Sequence, residues 1–145
     1  VTVVSRRFLL LAAAWLLPGC SAPETPLAKL ELAVVSLQEA LEARSTSDVM
    51  RQLDERFRAQ DELDADWARK TMMLMFLRYA QVRIVAVSSR SRLEDGEGGT
   101  LGLTEAQVLV TGAQGLIPER LAPYTVTLRW RREGDDWKLR DLHWD

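Results

Sequence analysis

Asp141 and His143 stand two residues apart near one end of the chain, and Tyr79 lies far upstream of them. A carboxylate, an imidazole and a phenol are the groups that proton-transfer chemistry uses. Such chemistry needs a carboxylate base and a proton donor inside an apolar cone, where burial moves their pKa values. Each of the three also has a plainer role. Tyr79 falls at a helix end, where a tyrosine packs its ring and leaves its hydroxyl at the rim. Asp141 has Arg78, Arg129 and Arg140 as prospective partners, and His143 is the single histidine of the chain. Ser88 or Ser89 would be the nucleophile of a triad, but nothing in their spacing sets them beside His143. One histidine and one cysteine are too few for a zinc site. The plainer reading is adopted, with no catalytic residue, no metal and no cofactor.

The one cysteine has a different chemistry. Arg6 and Arg7 precede a ten-residue apolar run, Phe8 to Leu17, and Pro18-Gly19-Cys20 follows. Spanning a bilayer core of about 30 Å takes roughly 20 apolar residues. The run is therefore predicted to be a secretory leader rather than a membrane anchor. Leu17-Pro18-Gly19-Cys20 resembles the bacterial lipobox, in which the cysteine is lipidated and becomes the new N-terminus; Pro18 departs from the usual small residue there. The expected division is a signal peptide over 1–19, a lipidated cysteine and tether over 20–26, and one domain over 27–145. Each buried methylene of an acyl chain contributes about 0.8 kcal/mol, so two or three chains hold durably. Ser21 after the cysteine resembles the outer-membrane sorting class, which implies a periplasm-facing lipoprotein. Arg6-Arg7 also leaves twin-arginine export open as an alternative.

Removal of the leader takes two of the 19 basic residues against 21 acidic ones and moves the formal net charge from −2 to −4. A mildly acidic domain argues against nucleic acid as a partner, which calls for a clustered basic face. With Cys20 lipidated no thiol remains for a disulfide or a cysteine nucleophile.

The elements that would position these groups follow from hydrophobic period. Leu27, Leu30, Val34, Leu37 and Leu41 form one stripe of a helix from Pro26 to about Arg44. Ser45 to Asp48 are cap-forming residues, and Val49, Leu53 and Phe57 predict a second helix at spacing four. Asp64 is placed to cap a third, expected to be largely buried. The period then becomes two. Val82, Ile84 and Ala86 mark a strand, followed by a loop from Ser91 to Gly102. Ala106, Val108 and Val110 mark the next strand, and Tyr124, Val126, Leu128 and Trp130 another. A tight turn at Glu133 to Asp136 leads to a last strand, Trp137 to Trp144. Helices followed by an antiparallel meander predict an α+β fold with the N-terminal helices on one face of a curved sheet.

This order resembles the nuclear transport factor 2-like superfamily, the cystatin-like α+β cone shared with ketosteroid isomerase, and in particular its small bacterial lipoproteins. The likeness runs from about Leu27 to Trp144. It rests on "LQEALEARSTSDVMRQLDERFRAQDELD" with Asp54-Glu55-Arg56-Phe57, on "FLRYAQVRI", and on the hairpin "TLRWRREGDDWKLRDLHW" with Trp137-Lys138-Leu139. In the family, Asp-x-x-Phe ends a short helix. The fold hosts enzymes, binders and dimerisation modules, so the resemblance implies a cone and not an activity. No residue-by-residue match to an isomerase site can be made; an acid/base enzyme of that type is the alternative to a binding module.

Two groups of residues could bind. Trp67, Met72, Met75, Phe76, Tyr79, Val108, Val126, Leu128 and Trp130 could line a small-molecule pocket in the cone. The favoured expectation is that they fill the core instead. Arg129, Arg131, Lys138 and Arg140 alternate onto one side of the terminal hairpin, a cationic patch for anionic lipid head groups or an acidic envelope protein. Glu105 and Glu133 would otherwise neutralise it. The expected partners are the membrane, through the anchor, and an envelope protein or a second copy.

Overall fold

The computed structural model describes residues 25–112, 115–116 and 122–145. Cys20 and the predicted leader over 1–19 lie outside them. Helix α1 spans Pro26–Glu42; Thr25 caps it, its side chain accepting from the Ala28 amide at 3.1 Å, and Pro26 occupies the first turn. Leu30, Leu37 and Ala40 form its buried stripe. The helix lies close on the sheet because residue 102 is glycine. A Cβ there would stand 2.6 Å from Leu30 Cδ2, inside contact distance.

After α1 the expected long second helix does not form. Helix α2 is a single short piece, Thr46–Arg51, capped by Ser45, and Leu53–Ala59 is strand β1, parallel to the last strand. Residues four apart share a face in a helix and also in a strand, so Leu53 and Phe57 satisfy either geometry. The open edge of the last strand supplies the hydrogen bonds that decide it. Asp54-Glu55-Arg56-Phe57 thus lies in a strand and not at a helix end.

Helix α3 is Ala65–Arg78, with the Asp64 side chain accepting from the Trp67 amide at 2.9 Å. It was expected to be buried. Instead Ala68 is its one buried residue, and Met73, Leu74 and Leu77 are exposed, Leu77 by 85%. The helix packs on β1 and α2 and leaves the middle of the sheet uncovered.

Strands β2 (Arg83–Leu93), β3 (Leu101–Gly112), β5 (Tyr124–Glu133) and β6 (Asp136–Trp144) form an antiparallel meander; the two-residue β4 (Gly115–Leu116) pairs with β3. With β1 added the order is β1-β6-β5-β3-β2, a mixed sheet. The fold is the expected α+β arrangement, with the helices on one face. The predicted loop from Ser91 shrinks to residues 94–100, because β2 runs on to Leu93 and β3 starts at Leu101. Asp95 closes this loop by accepting from the amides of Thr100 and Leu101 and from the Thr100 hydroxyl, which holds its carboxyl down at about 2. Gly134, at φ 61°, makes the β5–β6 turn.

Besides a register shift between β1 and β6, strands β2 and β6 each carry a bulge within the meander, in which one extra residue reverses the faces beyond it. In β2 the pairing moves from Ala86↔Val108 to Ser88↔Gln107, with Val87 as the extra residue. In β6 it moves from Trp130↔Leu139 to Arg129↔Asp141, with Arg140 as the extra residue. Both bulges reshape the candidate site.

Candidate functional site

Between α1, α3 and the sheet lies a cavity of about 960 Å³. The core residues do not fill the cone, contrary to expectation. They form a packed floor at one end, where Leu30, Trp130, Trp137 and Leu139 meet, and leave the other end hollow. Pockets that bury a small molecule run from about 300 to 1,000 Å³. Val34, Val35, Leu37 and Leu41 of α1 form one wall, and Trp67, Thr71, Met72 and Met75 of α3 form another. Ile84 and Ala86 of β2, Ala106, Val108 and Val110 of β3, and Val126 and Leu128 of β5 make the sheet side. Trp67 stacks on Trp144 with ring centroids 6.1 Å apart and planes within 10°, tying α3 to β6 at the margin. Glu31, Val35, Ala86 and Ser89 on the rim are exposed.

Of the nine residues considered for a pocket, Trp67, Met72, Met75, Val108, Val126 and Leu128 border this cavity. Phe76, Tyr79 and Trp130 do not. Tyr79 terminates α3 beneath the Arg78 guanidinium, 5.4 Å from its ring centroid, and the carbonyls of Phe76 and Tyr79 both accept from Arg44. Trp130 is 1% exposed and lies behind the wall, its indole N–H donating to Thr104 Oγ1 at 3.1 Å.

The acid–base candidates are not in the cavity. Alternation from Trp137 and Leu139 would carry Asp141 and His143 inward. The bulge at Arg140 turns Leu142 and Trp144 inward instead, and Asp141 and His143 outward. Asp141 sits across from Arg129 and Arg58, and His143 Nε2 lies 2.9 Å from Asp61 Oδ1. Among the described residues that border the cavity there is one carboxylate, Glu31, and no histidine. No described cluster of histidine, cysteine and carboxylates could hold a metal.

Alternation in β2 missed the polar part of the wall for the same reason. Beyond Val87 the inward residues are Ser89 and Ser91, not Ser88 and Arg90. Ser91 Oγ lies 2.8 Å from Thr104 Oγ1, so Ser91, Thr104 and Trp130 form one hydrogen-bonded chain.

The four cations of the terminal hairpin gather on the outer face; of the two expected acidic partners Glu133 is beside Arg131, while Glu105 pairs elsewhere. Arg129 binds Glu94 at 2.9 Å, and the Lys138 ammonium donates to the Arg51 carbonyl. Arg131 Nε binds Asp54 Oδ2 at 2.8 Å, with Glu133 at 3.8 Å, while Glu105 pairs with Arg92. Burial pushes the Asp54 carboxyl up, but the Arg56 amide, the Arg131 guanidinium and the Arg140 charge together hold it below the usual carboxylate range. No described helix is long and apolar enough to cross a membrane.

No known family profile matches the sequence. No curated protein matches it either. Solved structures do. A proposed dehydratase from the NTF2-like family of Streptomyces avermitilis is 15% identical, with a TM-score of 0.67 over 84% of this chain and 96% of that one. A Nostoc punctiforme protein of unknown function with a cystatin-like fold is 12% identical, with a TM-score of 0.62 over 80% and 86%. Bd1075 of Bdellovibrio bacteriovorus is 14% identical at a TM-score of 0.67 over 79% of this chain, which spans only 38% of that protein. At these identities the likeness defines the fold, a nuclear transport factor 2-like or cystatin-like cone, and leaves activity open.

Proposed function

We propose that this chain is a lipid-anchored protein of the bacterial cell envelope whose cone binds an apolar ligand without transforming it. The observation that carries the binding part is the cavity of about 960 Å³ with a wall of aliphatic, methionine and tryptophan side chains. Apolar surface of that extent, left uncovered, favours an occupant that removes it from water. The non-catalytic part rests on the outward turn of Asp141 and His143 and on Glu31 being the one carboxylate among the described bordering residues. The anchor rests on the sequence around Cys20. Neutral N-phenyl-1-naphthylamine is expected to bind one per chain with a rise in its fluorescence, and absence of saturable binding would overturn the cavity reading. For the anchor, radioactive palmitate should label the wild-type chain and not Cys20→Ser; equal labelling of the two would overturn it.

A further inference from the structure

The direction of the Trp130–Thr104–Ser91 hydrogen bonds points to the kind of polar group that the cavity accepts. Trp130 Nε1 can only donate, and it donates to Thr104 Oγ1. Thr104 is 0% exposed, and the other side chain within reach of its hydroxyl is Ser91 at 2.8 Å. Two orientations of that bond are conceivable. If Ser91 donated, the Thr104 proton would be buried with no acceptor among the described residues. Leaving a buried donor unsatisfied costs about 1–3 kcal/mol. Thr104 therefore donates to Ser91. The Ser91 hydroxyl proton is then uncommitted, since Ser91 Oγ makes no further hydrogen bond among the described residues. Ser91 borders the cavity and is half-buried, so that proton is available to an occupant.

The charges along the wall narrow the class further. Glu31 borders the same cavity from α1. Arg90 borders it too, but its register partner is Glu105 on the outer face, and alternation from Ser89 and Ser91 carries its side chain outward. An anionic head group would meet a carboxylate and no inward cation among the described residues. We infer that the cavity selects an uncharged apolar molecule bearing a hydrogen-bond-accepting oxygen, of the ketone or ester kind, with Ser91 as the donor that recognises it. This inference rests on the proposed apolar-ligand reading and adds the ligand class and a specificity-determining residue to it.

Matched probes of one shape test it. 2-Acetylnaphthalene carries a carbonyl oxygen where 2-isopropenylnaphthalene carries a methylene, and 2-naphthoate carries a charge. By calorimetric titration of the full chain, the ketone should bind roughly three- to tenfold more tightly than the alkene, the worth of one net hydrogen bond. The naphthoate should bind most weakly of the three. In Ser91→Ala the ketone should lose its advantage over the alkene. Equal binding of ketone and alkene by the wild-type chain overturns the inference alone, whatever the variant does. So does a preference that persists in Ser91→Ala, or naphthoate binding as tightly as the ketone. Binding of none of the probes overturns the apolar-ligand reading and this inference with it.

Discussion

Enlarging a residue on the cavity wall should stabilise this domain, whereas the same change in its packed part should damage it. Ala106 faces the cavity from the middle of β3, between Ser89 on β2 and Val126 on β5, and is half-buried. In a filled core, extra carbon atoms at such a position cost about 1–3 kcal/mol. Here the space is vacant on the scale of several side chains. A phenylalanine side chain buries about 150–250 Å² when covered. Half of that, at about 25 cal/mol per Å², is worth roughly 2–3 kcal/mol. Fixing its rotamer takes back on the order of 1 kcal/mol. Ala106→Phe should then be stabilising by about 1–2 kcal/mol, and for a domain of this size each kcal/mol raises Tm by roughly 4 °C. Ala59 is the control: it is 0% exposed, pairs with Leu142, and its amide donates to the Leu63 carbonyl. Ala59→Phe has no space to enter and should lose about 1–3 kcal/mol or more. Urea unfolding followed by circular dichroism measures both. Equal destabilisation by the two changes would mean that the cavity is filled in solution, and the apolar-ligand reading would fall. Ala106→Phe should also weaken binding of N-phenyl-1-naphthylamine.

Three further outcomes are expected. Trp130→Ala, which empties a 1% exposed site and removes the donor to Thr104, should cost about 3–5 kcal/mol, against less than about 1 for Arg129→Ala, whose pair with Glu94 is exposed; similar urea midpoints would contradict the strand register. The Asp54 side chain is 2% exposed and that of Arg131 is 42%, so Arg131→Met should destabilise more than Asp54→Asn, because it strands a buried carboxylate; the excess should shrink in acid as that carboxyl takes a proton, and unfolding at pH 7 and pH 3 measures it. With its carboxyl at about 2, against roughly 3.9 unfolded, Asp95 stabilises the β2–β3 loop above pH 4 and loses that effect as pH falls towards 2. The advantage of wild type over Asp95→Asn in thermal melts should follow that window, and an advantage unchanged at pH 2 would exclude the carboxylate as its source.

Much of the frame was legible in the residues. The α1 stripe, the Asp64 cap, the inward set Tyr124 to Trp130 and the Gly134 turn are local patterns, each set by neighbours three or four residues away or by alternation. The class of fold followed from their order. Leu53 and Phe57 were ambiguous, because a spacing of four fits a helix face and a strand face, and the free edge of β6 settled it. The site itself was decided by tertiary structure. Neither Val87 nor Arg140 is a glycine or a proline, and nothing local marks either as the extra residue of a bulge. Yet the first puts Ser89 and Ser91 on the cavity wall, and the second moves Asp141 and His143 to the outside. A bulge is placed by cross-strand pairing, in which Trp130 stays opposite Leu139 while Arg129 takes Asp141. The cavity has the same origin. Its volume is the difference between the space that α1, α3 and the curved sheet enclose and the side chains that reach into it, a quantity that belongs to the assembled elements and to no stretch of sequence.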